Sequence, residues 1–235
     1  MTILQYLEDH YIDAVACLEK GTLPEELCLL YVNPFNYFWF RDNLGLVSKT
    51  FYRVDGIYAS GIIGWFTSIP RPIRRQSFDM TSLAPMVFRY CEDNNLSIFI
   101  AGGKDNDAAL FAIKIKELFP SLNIKSCVDG YRTEEEIIRL VVESNCDISI
   151  FGLGNIKQES VASKLSVIRP SRYFTCGAFI SQTARSEAGF YYPAVVDRLN
   201  LRWLYRFFKE NHIIGRVLRF YPKFLFAVVA DKLKS

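Results

Sequence analysis

The chain has 235 residues, half of them apolar and 15% aromatic, so a sizeable core is available and intrinsic disorder is excluded. A net charge of +3 by itself points to no partner, but the charge is unevenly spread. Residues 198–235 carry nine Lys/Arg against Glu210 and Asp231, a local +7, which leaves −4 on the preceding 197 residues.

The N-terminus does not read as a signal peptide, because Glu8, Asp9 and Asp13 interrupt it. Leu27–Val32 is predicted as a strand leading to Asn33, and Phe51–Val54 as a strand leading to Asp55-Gly56. Residues 68–75 form a Pro-rich basic loop holding Arg74 and Arg75. Three βα units follow. Residues 96–101 are a buried strand ending in Gly102-Gly103, and residues 105–119 a helix with apolar Leu110, Ile113, Leu118 and Phe119 at helical spacing. Pro120 stops that helix. Residues 122–128 are the next strand, running into Asp129-Gly130, after which Thr133 and Glu136 make a capping-box signature for a helix through Val142. Residues 146–151 are the third strand, ending in Gly152-Leu153-Gly154, with a helix starting near Gln158. Residues 172–179 read as a fourth strand.

Ile-, Val- and Phe-rich strands alternating with helices predict an α/β fold with a mostly parallel sheet and helices on both faces. Right-handed crossovers place the strand-to-helix loops on one edge, where ligands of such sheets bind. The candidate loops are 102–105, 129–133 and 152–159. The tail differs from this body. It interleaves aromatics with Arg and Lys, and Gly215 and Pro222 are expected to divide it into short amphipathic helices lying in a lipid headgroup plane. The predicted division is an α/β body, residues 1–197, and a basic, aromatic appendage, residues 198–235. No apolar run approaches the ~20 residues of a spanning helix. The expected location is therefore cytoplasmic, peripheral at a membrane surface. A nucleic-acid role has no recognisable module behind it.

Among residues that could carry chemistry, the glycine turns permit close approach of a phosphate or base to backbone N–H groups. They serve equally as ordinary tight turns, and neither GxGxxG nor GxxxxGK[ST] is present. Gln158-Glu159 at a helix start could bind a nucleobase or ribose, or simply complement the helix dipole. Asp55 at a strand end could act as general base, or as the first residue of an Asp-Gly turn. Arg74 and Arg75 could hold a diphosphate. The six cysteines are widely spaced and read as free buried thiols. The two histidines, His10 and His212, form no metal site.

Taken in order, these motifs resemble the WecG/TagA/CpsF family, glycosyltransferase family 26, from about Leu27 to Phe226. The central match runs from the strand-Gly102-Gly103 turn, through Pro120 and Gly130-Tyr131, to Gly152-Leu153-Gly154 and Gln158-Glu159, similar to the family's "GLGxPxQE". Residues 201–206 are similar to its "LEWlyR" segment. The resemblance implies a Rossmann-like fold and a metal-independent, inverting transferase with no cofactor. The donor would be a UDP-sugar, of hexosyl or N-acetylhexosaminyl type. The acceptor would be a polyprenyl-diphosphate-linked glycan of bacterial surface polysaccharide, made at the inner face of the plasma membrane. No acidic metal-binding D-x-D motif is evident in this reading. By position, Asp55 is the implied base. Asn33, Gly102, Gly103, Gly130, Tyr131, Gly152, Gly154, Gln158 and Glu159 are implied at the donor nucleotide, and Arg74, Arg206 and Arg216 at the diphosphate or acceptor. An anionic membrane surface is the expected partner, with a homo-oligomer left open.

The chain departs from the family pattern at several points. Tyr31 stands for Thr, Ser77 for Gly, Ile156 for Pro and Ile180 for Asp. Tyr191-Tyr192-Pro193 stands for "RAP", and Arg202 for Glu. The region from Gln182 to Pro193 is similar to a capsule and exopolysaccharide branch. The alternative is a non-catalytic, membrane-associated partner of a polysaccharide assembly complex.

Overall fold

Six strands form one parallel sheet in the computed structural model, which describes residues 1–46, 51–54, 57–69, 76–186 and 212–234. The strands are β1 (Leu27–Val32), β2 (Phe51–Val54), β3 (Ser97–Gly102), β4 (Asn123–Val128), β5 (Ile148–Gly152) and β6 (Arg172–Thr175), in spatial order β2-β1-β6-β5-β3-β4. Every pairing is parallel. Every residue of β1 and β3 is buried, as their unbroken apolar runs require. β4 at one edge is half exposed, matching its alternation of Asn, Lys and Ser with apolar residues.

Alternate side chains of each strand feed two cores, one per face. Cys28, Leu30, Val32, Phe99, Ala101, Phe151 and Tyr173 point one way. There they meet α1 (Ile3–Asp9), α3 (Tyr37–Asp42), α4 (Ile57–Phe66), α7 (Glu134–Ser144), α8 (Lys157–Ile168) and α10 (His212–Lys232). Leu27, Leu29, Ile98, Ile100, Ile148, Ile150 and Phe174 point the other way. They meet α2 (Ala14–Glu19), α5 (Leu83–Asp93), α6 (Asp107–Leu118) and α9 (Phe179–Arg185).

The topology fixes where a ligand can enter. The chain leaves β3 through α6 toward β4, and leaves β5 through α8 in the opposite direction toward β6. Right-handed crossovers of opposite direction put α6 and α8 on opposite faces, which opens a crevice at the carboxyl ends of β3 and β5.

Three sequence expectations are corrected. The strand expected over residues 172–179 stops at Thr175, because Gly177 turns the chain with φ +57° and Phe179 begins α9. On α6 the stripe facing the sheet is Ala108, Phe111 and Ile115, whereas Leu110, Ile113 and Leu118 are exposed. Apolar residues thus occur on both faces of this helix, and spacing alone does not select the buried one. The tail is not broken at Gly215 and Pro222, since α10 runs through both. Pro222 removes one hydrogen bond, but the ring and Leu218 four residues earlier are both exposed, so water reaches the freed carbonyl. Beyond Pro222, burial of Phe224, Ala227 and Val228 holds the helix on the body, and Tyr37 Oη donates to Asp231 Oδ2 at 3.0 Å. The boundary at residues 197/198 lies outside the described residues. No helix among the described residues is long and apolar enough to cross a membrane.

Two carboxylates brace neighbouring helices. Asp107 on α6 pairs with Arg185 of α9, and Glu134 on α7 accepts from Lys164 Nζ (2.7 Å) and Ser160 Oγ (2.8 Å) of α8. Burial pushes both carboxyls up, but these donors, with the Lys104 N–H for Asp107, overcome it and hold both below the ordinary value. A depressed folded pKa means stability that is present above the unfolded carboxylate pKa, about 4. That stability is lost as pH falls through the folded value. The urea midpoint is therefore expected to drop between pH 7 and pH 3, and the Asp107→Asn/Glu134→Gln double variant to show a flatter profile over the same window.

Candidate functional site

At Gly102 and Gly152, in the floor of the crevice, nothing larger than glycine fits. Gly102 and Gly152 end β3 and β5 and pair in register. A Cβ on Gly102 would lie 2.8 Å from Gly152 O and 2.6 Å from Ile180 Cδ1, and one on Gly152 would lie 2.9 Å from Gly177 O. Gly103 follows with φ +73°, and its carbonyl accepts from Gly130 N at 2.9 Å. The loop after β4 is thereby stitched to the loop after β3. Gly154 turns with φ +84° after β5. All three glycine loops singled out in the sequence converge here. Ile180, where the family pattern has Asp, is fully buried beneath Gly102 and Gly152 and makes the floor apolar.

Tyr131 stands at the rim, its residue 78% exposed, with its backbone N–H fixed by Asp129 Oδ1 at 3.0 Å. An exposed ring held by a rigid turn is suited to stacking on a planar base. Lys157 at the start of α8 donates to the carbonyls of Gly130 (2.8 Å) and Arg132, tying the third loop to the second. Lys157 is a residue the sequence motifs did not single out.

Gln158 and Glu159 lie at the crevice wall but turn inward. Glu159 is fully buried. Its Oε1 accepts from Gln158 Nε2 (2.9 Å) and Asn36 Nδ2 (3.2 Å), and its Oε2 from Ile156 N (2.5 Å). Gln158 Oε1 accepts from Gly177 N at 3.1 Å. Asn36, also fully buried, passes the network on. Its Nδ2 donates to Tyr31 O (2.9 Å), and its Oδ1 accepts from Asn33 N (2.8 Å). The QE pair therefore holds together the loops after β1, β5 and β6. Asn33 itself is half-buried at the carboxyl end of β1, its Oδ1 accepting from Phe35 N at 2.9 Å. Asn36 had a sequence signal: Asn33-Pro34-Phe35-Asn36 before an apolar run is a helix-start pattern.

Burial raises the Glu159 carboxyl, and the Gln158 amide, backbone N–H groups and Asn36 only partly offset it. Each of those partners is a donor, so Gln in its place turns an amide N–H toward another donor. Glu159→Gln is expected to lose about 1–3 kcal/mol, the cost of a buried polar group left without a partner. Urea unfolding measures the loss, and an unchanged midpoint would remove Glu159 as the hub.

Ile156 has φ +76° and ψ −50°, a strained conformation for a β-branched residue. Proline, fixed near φ −65°, cannot adopt it. The departure from the family's Pro thus accompanies a different backbone turn at the start of α8.

Each helix start around the crevice is closed by a carboxylate of the protein. Asp107 Oδ2 accepts from Lys104 N (2.9 Å) before α6, Glu136 Oε2 from Thr133 N (3.0 Å) before α7, and Glu159 from Ile156 N before α8. An anionic ligand cannot use those three N–H groups, and basic side chains nearby would complement its charge. The sequence expectations for that task fall on Arg74 and Arg206, which lie outside the described residues, and on Arg216, whose backbone belongs to α10. Asp55 also lies outside them. β2 ends one residue earlier, at Val54, which pairs with Val32 just before Asn33. Near Arg74, Gln76 is buried and anchored, its carbonyl accepting from Tyr31 Oη at 2.7 Å and its Oε1 from Ala14 N at 3.1 Å. That bond gives the Tyr31 hydroxyl, at the family's Thr position, a structural partner.

The expectation that no D-x-D motif is evident is corrected: the sequence holds the tripeptide Asp105-Asn106-Asp107. Its carboxylates do not face a common point of coordination. Asp107 is turned inward against Arg185 Nη2 (2.7 Å) and Nε (3.2 Å), while Asp105 is exposed beside Lys104.

The family model described as "Glycosyl transferase WecG/TagA/CpsF family" matches residues 49–235. The "UDP-Gal:alpha-D-GlcNAc-diphosphoundecaprenol beta-1,4-galactosyltransferase" of Shigella boydii is 32% identical over 207 residues, covering 86% of this chain and 86% of that protein. With a parallel α/β sheet, a glycine-lined crevice at its switch point and a likeness reaching to the last residue, the chain belongs to the WecG/TagA/CpsF family of glycosyltransferases.

Proposed function

We propose that the protein transfers a sugar from a UDP-sugar to a polyprenyl-diphosphate-linked glycan, with UDP-galactose and an N-acetylglucosamine-diphosphate lipid as the first pair to test. The observation that carries this reading is the 32% identity to the Shigella boydii galactosyltransferase over 86% of both chains. The crevice supports it. The nucleoside is assigned to the loops at Gly102–Gly103, Gly130–Tyr131 and Gly152–Gly154. The sugar is assigned toward Asn33 and Asp55. β2 lies three strand positions from β5, about 14 Å at the usual strand spacing, a span suited to a diphosphate and a hexose.

In this mechanism the acceptor hydroxyl attacks the anomeric carbon opposite the diphosphate. The new C–O bond forms as the bond to the β-phosphate oxygen breaks, and that electron pair leaves with UDP. The hydroxyl proton passes to Asp55, and the anomeric configuration inverts. Basic side chains stabilise the charge that develops on UDP. No metal is assigned a role.

Membrane association is part of the proposal. One face of α10 is packed on the core, and the opposite face exposes Leu218, Leu225, Phe226 and Val229 beside Arg219, Lys223 and Lys232, with Leu233 exposed just beyond it. α4 packs against α10 and exposes Trp65. Apolar groups flanked by basic ones fit the headgroup region of an anionic bilayer at the cytoplasmic surface. Each basic residue near the surface contributes about 1 kcal/mol, screened by salt.

The experiment is a UDP-release assay with the full chain, a panel of UDP-sugars and a short-chain diphosphate-linked acceptor, with and without EDTA, beside co-sedimentation with anionic vesicles at low and high salt. Acceptor-dependent release that EDTA leaves intact, with salt-sensitive vesicle binding, is the expected result. Vesicle binding without release from any donor would instead favour the non-catalytic reading.

A further inference from the structure

Asp107 is the second carboxylate of a D-x-D tripeptide placed directly after the Gly102-Gly103 turn. In that position a pair of carboxylates would ordinarily be available to a divalent cation that bridges to a nucleotide diphosphate. Here the cation-binding geometry is already occupied by a side chain. Arg185, the last residue of α9, presents Nη2 and Nε to the two oxygens of Asp107 at 2.7 and 3.2 Å. Asp107 is 6% exposed, whereas the Arg185 side chain is 63% exposed. One edge of the guanidinium is thus committed to a buried carboxylate, and the rest faces outward.

Its surroundings place it at the crevice. Asp107 is packed under Gly103, whose added Cβ would lie 2.4 Å from Asp107 Cβ. Arg185 also interacts electrostatically with Asp105, the first carboxylate of the tripeptide. The base of α9 is held firmly. Lys114 of α6 donates to the carbonyls of Thr183 (3.1 Å), Ala184 (2.9 Å) and Ser186 (2.5 Å). The guanidinium is therefore fixed by Asp107 at its tip and by the Lys114 bonds to the backbone around it, at the start of α6, where the Lys104 N–H is already taken by Asp107 Oδ2.

We propose that Arg185, braced by Asp107, is the resident cation of the donor site, contacting the diphosphate where a D-x-D enzyme would use a metal ion. The inference rests on the UDP-sugar reading above. Guanidinium suits the task, since it remains charged and forms paired hydrogen bonds to phosphate oxygens while keeping its bond to a carboxylate. Asp107 is then a positioning residue, and Arg185 touches the substrate.

The test compares full-length wild type, Arg185→Ala, Arg185→Lys and Arg185→Ala/Asp107→Asn. Calorimetric binding of UDP and of uridine is measured, with UDP release from UDP-galactose in EDTA. Arg185→Ala strands a buried carboxylate and can fail to fold. The double variant removes that charge as well, so its binding reports on the guanidinium alone. The expected result is a UDP affinity at least about tenfold weaker in the double variant, the usual size for a lost charge-assisted hydrogen bond. Uridine affinity is expected to be unchanged, and Arg185→Lys to recover part of the UDP affinity. Wild-type UDP affinity in the double variant overturns the proposal and leaves Arg185 a structural brace. Wild-type turnover that disappears in EDTA also overturns it, because the cation is then a metal. A wild-type protein that neither binds UDP nor releases it defeats the underlying donor reading instead.

Discussion

Asp55→Asn is expected to lower turnover by ~10²–10⁴, the usual effect of removing a well-placed general base, while UDP binding stays at the wild-type level. The argument is positional. Val54 pairs with Val32, so Asn33 and Asp55 are each the next residue after paired strand ends. The strands they follow in sequence, β1 and β2, lie on the side of the sheet away from β3 and β5, to whose loops the nucleotide is assigned in this proposal. Asn cannot accept the proton of the acceptor hydroxyl at neutral pH, but it keeps the shape and polarity of Asp. Rate and donor affinity should therefore separate. Turnover measured beside calorimetric UDP binding checks this, and an Asp55→Asn enzyme of undiminished turnover would remove Asp55 from the mechanism.

Gly102→Ala is expected to damage both stability and UDP binding. Its methyl would stand 2.6 Å from Ile180 Cδ1, 2.8 Å from Gly152 O and 2.9 Å from Gly152 Cα. Ile180 could shift, but the Gly152 contacts are backbone in the centre of the sheet. Overpacking of this kind typically costs about 1–3 kcal/mol. Here relief requires spreading β3 from β5, which distorts the crevice itself. Gly154→Ala gives the contrast. Nothing lies within 4 Å of its added Cβ, yet φ is +84°, so the cost is backbone strain of about 1–2 kcal/mol with no spreading of the strands. Thermal melts and UDP titrations of the two variants should diverge, with Gly102→Ala losing much more nucleotide affinity. Equal UDP affinity in both would show that the β3–β5 crevice is not the nucleotide site.

The sheet was largely legible because its strands are unusually uniform. The runs ending at Val32, Val54 and Val128 are bounded by turn residues and were located in full or to within a residue. Thr133 and Glu136 make the reciprocal capping bonds their spacing predicts. The order of strands was not legible, since parallel pairing depends on contacts far apart in sequence. The short helices α1 to α3 were missed because six or seven residues hold too few turns to display a period. α10 was misjudged for a different reason. Pro222 is a strong local breaker, and only the buried Phe224 and the Tyr37–Asp231 bond, spanning the whole chain, reveal why the helix persists.

The site was legible as a set of loops rather than as a set of contacts. The glycines meet where the βα pattern placed them. Gln158 and Glu159 carry the family motif, but their side chains turn inward to bind Gly177, Asn36 and Ile156, a burial that two polar letters at a helix start do not disclose. Asp107 shows the converse. Its tripeptide looks like a metal motif, and only the packing of α9 on α6 shows Arg185 in possession of both oxygens.

The most direct test of the whole account is the product of one reaction. Full-length protein is incubated in EDTA with UDP-galactose and a lipid-diphosphate-N-acetylglucosamine acceptor, and the extended lipid is isolated for mass spectrometry and NMR of the new anomeric centre. The account predicts a gain of one hexose in β configuration, inverted from the α-linked donor. An unextended acceptor with every UDP-sugar tried, or a product that retains the α configuration, would contradict it.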